Sequence, residues 1–222
     1  MSFDLASPTS TLFLLAALAL VPFLLMVLTS YAKIYIVLSF VRLAIATPQV
    51  PPNLVLAALA TLLTVFAMAP VAREAHEGAA PLIAAAAAEE RTADRDLERL
   101  IGIGAAVSRP LAGFLDRNSH PDTRRLFEGV AVRRGLDPGG GAGRMLVLAP
   151  AFVVTELQEA FLAAFLLFLP FLVIDLVVSN VLLALGMHML SPTTVSLPFK
   201  LLLFVAVDGW EVLSRGLVLA YR

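Results

Sequence analysis

A carboxylate in the middle of an oily run constrains this chain more than any other feature. Asp175 stands inside "FLLFLPFLVIDLVVSNVLLALGM", residues 165–187, a stretch long and apolar enough to cross a bilayer as a helix. A charged side chain at bilayer depth costs roughly 2.5 to 3.5 kcal/mol on insertion scales unless it is paired or neutral. Asp175 is therefore expected to face protein or a water path rather than lipid. Ser179, one helical turn further on, and Asn180 beside it extend the same buried polar patch.

Apolar residues gather in four stretches, 12–45, 54–72, 160–187 and 201–221. They make up 59% of the chain, against 15% charged residues, and give a mean hydropathy of +0.90. That balance is too apolar for an ordinary soluble domain and points to the membrane class. A helix satisfies its backbone polar groups within one segment, so helix is the expected form of all four. No strand alternation or fixed-period repeat stands out, and the expected fold class is all-α. Pro22 is expected to interrupt the first stretch and Pro70 to mark the end of the second.

Between the second and third stretches the composition reverses. Residues 73–150 hold 11 arginines and 11 acidic residues, 22 of the chain's 33 formal charges, and must face water or a polar interface. Three regions follow: an N-terminal apolar helical hairpin over 1–72, a charged soluble helical insertion over 73–150, and a C-terminal apolar helical hairpin over 151–222. In the insertion, "AAAAAEERTADRDLERL" joins strong helix formers to Glu and Asp followed by Arg at helical spacing. "SHPDTRRLFEGVAVRRG" predicts a helix with Pro121 in its first turn, Leu126, Phe127 and Val130 on one side, and Gly135 as its stop. "LDPGGGAG" reads as a flexible loop. A solvated helical pair is the plain reading of the insertion, and it is preferred over a dedicated binding surface.

Charges also enter the last two stretches. Glu156 and Glu159 head the third, three residues apart on neighbouring parts of one helix face, where solvated entry-turn carboxylates are the plain reading. The fourth has only seven clean apolar residues before "DGWEVLSR". There Asp208, Glu211 and Arg215 recur at i, i+3 and i+7, and Glu211 precedes Arg215 by four, the favourable order for a helical ion pair. Such an amphipathic C-terminal helix is a poor lone span in lipid. Together these charges predict that much of the apolar surface is buried against other subunits, which supply partners for the internal charges. Lys33, Arg42 and Lys200 near the two short turns place those turns in the cytoplasm and the insertion outside, with Arg215 and Arg222 in disagreement. The start has Asp4 and no basic residue before its apolar run, so the first segment is expected to be retained rather than removed as a secretory signal.

Several chemistries lack support. A net charge of −1 and a pI of about 6.3 give no reason to expect nucleic acid. With no cysteine, disulfides, thiolate nucleophiles and cysteine-ligated metals are excluded together. His76 opens "HEGAA", where Ala80 stands in place of the second histidine of a zincin. "GIGAAV" lacks the last glycine of a dinucleotide fingerprint, no phosphate loop ends in Lys-Ser or Lys-Thr, and no "GxSxG" elbow occurs. No enzymatic activity, cofactor or metal is expected.

Four segments carry a resemblance: "TSYAKIYIVLSFVRLAIATPQVPPN" followed by "MAP", "PAFVVTELQEAF", the Asp175 stretch, and "LSPTTVSLPFKLLLFVAVDGW". Long and ungapped, they closely resemble the FliP/SctR family of type III secretion export-apparatus proteins over about half of the chain. The retained start and the "SN" after "IDLVV" are more similar to the virulence injectisome branch than to the flagellar one. The resemblance implies bent helical hairpins and a homopentamer. It joins FliQ/SctS-like and FliR/SctT-like subunits, and a FlhB/SctU-like switch protein, at or above the bacterial inner-membrane plane. The insertion would lie on the periplasmic side, and unfolded secretion substrates would pass through the centre. It also implies that Met187 and Met189 ring the channel as a gasket. His188 stands where the family usually has a third methionine; either it points away from the axis, which is favoured, or the collar is wetter and titratable. Glu156 and Lys200 match positions that the resemblance assigns to inter-subunit ion pairs, and Asp175 to a buried polar contact. Two rivals remain: a small proton-coupled transporter with Asp175 as relay, and a purely structural membrane scaffold in which the methionines are packing.

Overall fold

Eight α-helices and no strand make up the described residues of the computed structural model, which are 8–47, 49–88 and 93–221. Asp4, Arg222 and the Glu89 to Thr92 segment lie outside the described residues, as do the side chains on which the charge spacing over 89–99 was read. In chain order the helices are α1 (Pro8–Leu28), α2 (Tyr31–Ala44), α3 (Asn53–Ala88), α4 (Ala93–Arg117), α5 (Pro121–Arg133), α6 (Gly141–Ala184), α7 (Pro192–Ala206) and α8 (Gly209–Leu219).

Prolines mark fewer breaks than expected. Pro22 lies inside α1, and the first stretch breaks instead at Thr29 and Ser30. Pro70 and Pro81 lie inside α3, which continues to Ala88 for 36 residues. An interior proline removes one backbone hydrogen bond and crowds the carbonyl four residues back. In a long apolar helix the intact turns on either side hold the element together. The third stretch likewise begins earlier than its apolar run: α6 starts at Gly141, within the expected flexible loop, and is 44 residues long. Asp137 Oδ1 accepts the Gly139 N–H at 2.9 Å, and Arg144 N–H donates to Gly140 O at 2.6 Å, so the glycines are committed to a helix start. α5 follows its reading, with Pro121 in the first helical position and Gly135 at φ +72° just past its end.

Among the described residues two helices, over Asn53–Ala85 and Gly143–Ala184, are long and apolar enough to cross a membrane by length and composition. The number rises to three if the broken pair Pro22–Leu28 and Tyr31–Ala44 is counted as one span. Large apolar side chains stand exposed along both, among them Leu54, Leu62, Phe66, Phe161, Phe165 and Val177. Surface of that kind calls for lipid or another protein to cover it.

The chain divides into two compact units. One comprises the residues up to Thr29 and Met68–Thr155. Phe114, Leu115, Leu148 and Phe152 are buried there, with the two phenyl rings 5.5 Å apart, and Asp116 of α4 receives Arg124 of α5 and Arg144 of α6. The expected apolar side of α5 does not all turn inward: Leu126 and Val130 are exposed, and Ala131 is the buried position.

The other unit, Ser30–Ala67 and Glu156–Tyr221, is organised around α2. Ile34, Val37, Leu38, Val41, Ala44 and Ile45, spaced three and four apart, meet Leu56 and Ala60 of α3, Ala160 and Phe171 of α6, Phe204 of α7, and Leu213 and Leu217 of α8. The fourth apolar stretch bends between α7 and α8, where Asp208 takes a left-handed φ of 50° and Gly209 lies under the Phe204 ring. A β-carbon on Gly209 would come within 2.3 Å of that ring, so only glycine fits this corner.

Candidate functional site

The turn between α6 and α7 is fixed by helix-stop chemistry at both ends. Gly186, at φ +73°, donates its N–H to Leu183 O at 3.0 Å, and Met187 N–H donates to Leu182 O at 2.9 Å. That pair of bonds is a Schellman stop, and the left-handed position is what glycine accepts without strain. Leu190 N–H then reaches Met187 O at 3.5 Å, closing a β-turn with His188 and Met189 at its corners. α7 opens with Ser191 extended and Pro192 in the first helical position, where its fixed φ suits a helix start. On this pinned turn Met187 is 43% exposed, Met189 is 98% exposed, and His188 is exposed too. An apolar side chain left that open has no packing role within its own chain.

Asp175 secures the two arms of the hairpin. Ser196 Oγ donates to Asp175 Oδ1 at 2.5 Å, and Lys200 Nζ donates to Asp175 Oδ2 at 2.6 Å. Ser196 and Lys200 are four apart, hence on one face of α7, and both are buried. The partners of Asp175 are these two groups rather than Ser179, half-buried, or Asn180, exposed. Between the same helices runs an apolar groove of about 450 Å³, lined by Val173, Val177, Val181, Leu182, Val195 and Phe199.

A second cluster gathers at α2. Lys33 Nζ lies 2.8 Å from Glu156 Oε1 and 2.6 Å from Glu159 Oε2, and 4.5 Å from the centre of the Tyr221 ring. The Tyr221 hydroxyl donates to Glu156 Oε2 at 2.5 Å, with the Ser30 carbonyl 3.3 Å away. Burial, followed by the neighbouring Glu156 carboxylate, pushes the Tyr221 phenol far above its ordinary range, so it stays a donor at any physiological pH. A buried carboxylate thus meets a cation, a cation–π contact and a charge-assisted hydrogen bond together.

Both pairings lie within one chain. Glu156 and Lys200, assigned partners on other subunits, are not brought together in the chain; each has its counter-charge within it, on Lys33 and Asp175. Helix spacing fixes which face a charge occupies, and the folded hairpin then supplies the nearest opposite charge. At the C-terminus, α8 buries Gly209, Leu213 and Leu217 on one face and leaves Glu211 and Arg215 exposed, with no ion pair to either among the described residues, while Asp208 is its N-cap rather than part of its charged face. Sequence reasoning used Lys33 only for orientation and passed over Ser196 and Tyr221. A signal for Lys33 existed: it sits in the same three-and-four stripe as Val37 and Val41, where a cation has to be paired. Among the described residues no group of three or more His, Cys, Asp or Glu side chains could hold a metal.

Known proteins align with this chain over nearly its whole length. Residues 14–217 match the FliP family. The chain is similar to "Pathogenicity-related ORF2" of Xanthomonas campestris pv. glycines, with 45% identity covering 92% of this chain and 93% of that protein. It is 42% identical to the hypersensitivity response secretion protein HrcR of Ralstonia nicotianae, across 96% of this chain and 97% of the relative. With the Yop proteins translocation protein R of Yersinia pestis it shares 38% identity across 98% of each.

Proposed function

This chain belongs to the FliP family, among its injectisome SctR-like members, and we propose that it is a core pore-forming subunit of a type III secretion export gate. It is a membrane protein of a secretion export apparatus. In the proposed gate, five copies assemble with FliQ/SctS-like and FliR/SctT-like subunits, and with a FlhB/SctU-like switch protein, in or above the inner membrane. The insertion lies on the periplasmic side. The turns between α6 and α7 converge on a central channel through which unfolded proteins pass.

One observation carries the reading: Met189, 98% exposed, and Met187, 43% exposed, project from a turn whose backbone is pinned at both ends. The fixed part sets where the seal stands, and the flexible part does the sealing. Methionine has three rotatable bonds and a polarizable sulfur, so a ring of such side chains closes on itself and yields to a chain of any sequence. The Asp175–Lys200 pair gives the hairpin a rigid stem. The open apolar groove and the exposed rows of α6 offer the area that neighbouring subunits need.

Replacing Met187 and Met189 together by alanine is expected to make the assembled gate conduct small ions while still passing substrate. Unchanged conductance in an assembled, unplugged gate removes the gasket. Because the chain has no cysteine, Met187→Cys introduces a single thiol. Disulfide-linked copies of the chain support an axial turn, and their absence in an assembled, oxidised gate places the turn at the periphery.

A further inference from the structure

We infer that the turn Met187-His188-Met189 is a binding site for a soft monovalent cation, Cu(I) or its redox-inert counterpart Ag(I). Three consecutive residues supply two thioethers and an imidazole, and thioether is the ligand type that selects Cu(I), with imidazole a compatible third donor. The surroundings exclude harder ions: residues 183–194 contain no acidic side chain, so no carboxylate is at hand for Mg²⁺ or Ca²⁺.

The turn sets the three donor-bearing residues side by side on one short stretch of backbone. The Leu190 N–H bond to Met187 O, 3.5 Å long, makes residues 187–190 a β-turn. Consecutive Cα atoms are ~3.8 Å apart and the ends of a β-turn lie within ~7 Å, so all three side chains spring from one small patch of backbone. Among the described residues no hydrogen bond or ion pair engages the three side chains, and all three are exposed in the single chain. The Schellman stop and Pro192 hold the turn before any ion arrives, which lowers the ordering cost of binding.

The site is complete within a single chain and needs no second copy, and it shares its two thioethers with the proposed gasket. The test is titration of the detergent-solubilised full complex with Ag(I) in chloride-free buffer, reading affinity by calorimetry and bound silver per chain by mass spectrometry. One silver per copy is expected in the wild type. That site is lost in Met187→Leu/Met189→Leu and weakened at least tenfold in His188→Gln. It is retained in Met26→Leu/Met68→Leu/Met145→Leu, which keeps the turn and removes other internal thioethers. Absence of a stoichiometric site in the wild type overturns the inference, and so does silver that survives the Met187→Leu/Met189→Leu change. Leucine at 187 and 189 also removes the thioethers of the proposed gasket, so the cation site is read from bound silver alone and the seal from ion conductance alone. Silver lost supports the cation site whether or not the gate leaks, and a leak with silver still bound counts against the cation site while supporting a seal that needs methionine.

Discussion

The chain handles its cations in two ways, and the two regions that do so repay comparison. Its only two lysines, Lys33 and Lys200, lie in the α2-centred unit with side chains 5% and 2% exposed, each against a carboxylate. The insertion uses arginine alone, in pairs open to water: the Arg73 and Glu77 side chains are 79% and 68% exposed, and those of Arg125 and Asp122 are 73% and 91% exposed. Exposed pairs contribute at most about 1 kcal/mol, since water and salt screen them and both side chains lose freedom. A buried pair behaves differently. Its net contribution can be near zero, yet removing one partner leaves an uncompensated charge at a cost of about 3 to 5 kcal/mol. The buried lysines therefore dictate which helices lie together, while these arginine pairs stay in contact with water.

The largest test of that contrast is Lys33→Ala. It strands Glu156, whose side chain is 1% exposed, together with Glu159, and should destabilise the protein by about 3 to 5 kcal/mol, read as lost thermal stability of the purified complex. Adding Glu156→Ala should recover part of the loss, because the second change removes the orphaned charge. Additive losses would show that the pair does not act as a unit. Lys200→Ala should follow the same pattern more mildly, since Asp175 is 27% exposed and keeps Ser196.

Tyr221→Phe tests whether the α2 cluster depends on more than its lysine. The substitution keeps the ring over Lys33 and deletes the bond to Glu156, a hydrogen bond to a charged group worth about 1.5 to 3 kcal/mol. The pH dependence has a definite sign. A phenol whose pKa is raised by folding contributes its full stability below the ordinary tyrosine value of about 10, and the contribution falls as pH rises beyond it. The wild type should therefore exceed Tyr221→Phe by a constant margin up to about pH 10, and the margin should shrink above that. A margin that grows with alkalinity would mean the phenol ionises more readily in the folded protein.

The same contrast explains what could be read ahead of the structure. Period and punctuation are local, so the helical content and Pro121 and Gly135 around α5 were legible in the residues themselves. The need of Asp175 for a partner was legible as well, because the cost of burying a charge belongs to the residue. The partner's identity was not: Lys33 and Glu156 stand far apart in sequence, and Tyr221 comes near the end of the described chain, so only the packing of α2 against α6 and α8 brings them together. Pro22 and Pro70 misled for a related reason. Whether a proline ends a helix depends on what surrounds the freed carbonyl, and the sequence does not carry that. The corner at Asp208 and Gly209 hid because its cause is a ring five residues back, that of Phe204, lying over the glycine.

The smallest expected effect lies between residues 73 and 150, at an acid with two partners. Asp116 of α4 takes Arg124 and Arg144, and so ties together three helices, α4, α5 and α6. Connectivity alone would rank it with Glu156. Exposure ranks it lower: the side chains of Asp116, Arg124 and Arg144 are 33%, 28% and 54% exposed, so water takes up much of what the ion pairs release. Asp116→Asn should cost about 1 kcal/mol or less, and raising salt should reduce the difference further as screening weakens the wild-type pairs. Thermal melting of the two proteins at low and high ionic strength measures this directly. A loss approaching that of Lys33→Ala, or one that salt leaves unchanged, would mean that the number of partners rather than burial decides the weight of an ion pair in this fold.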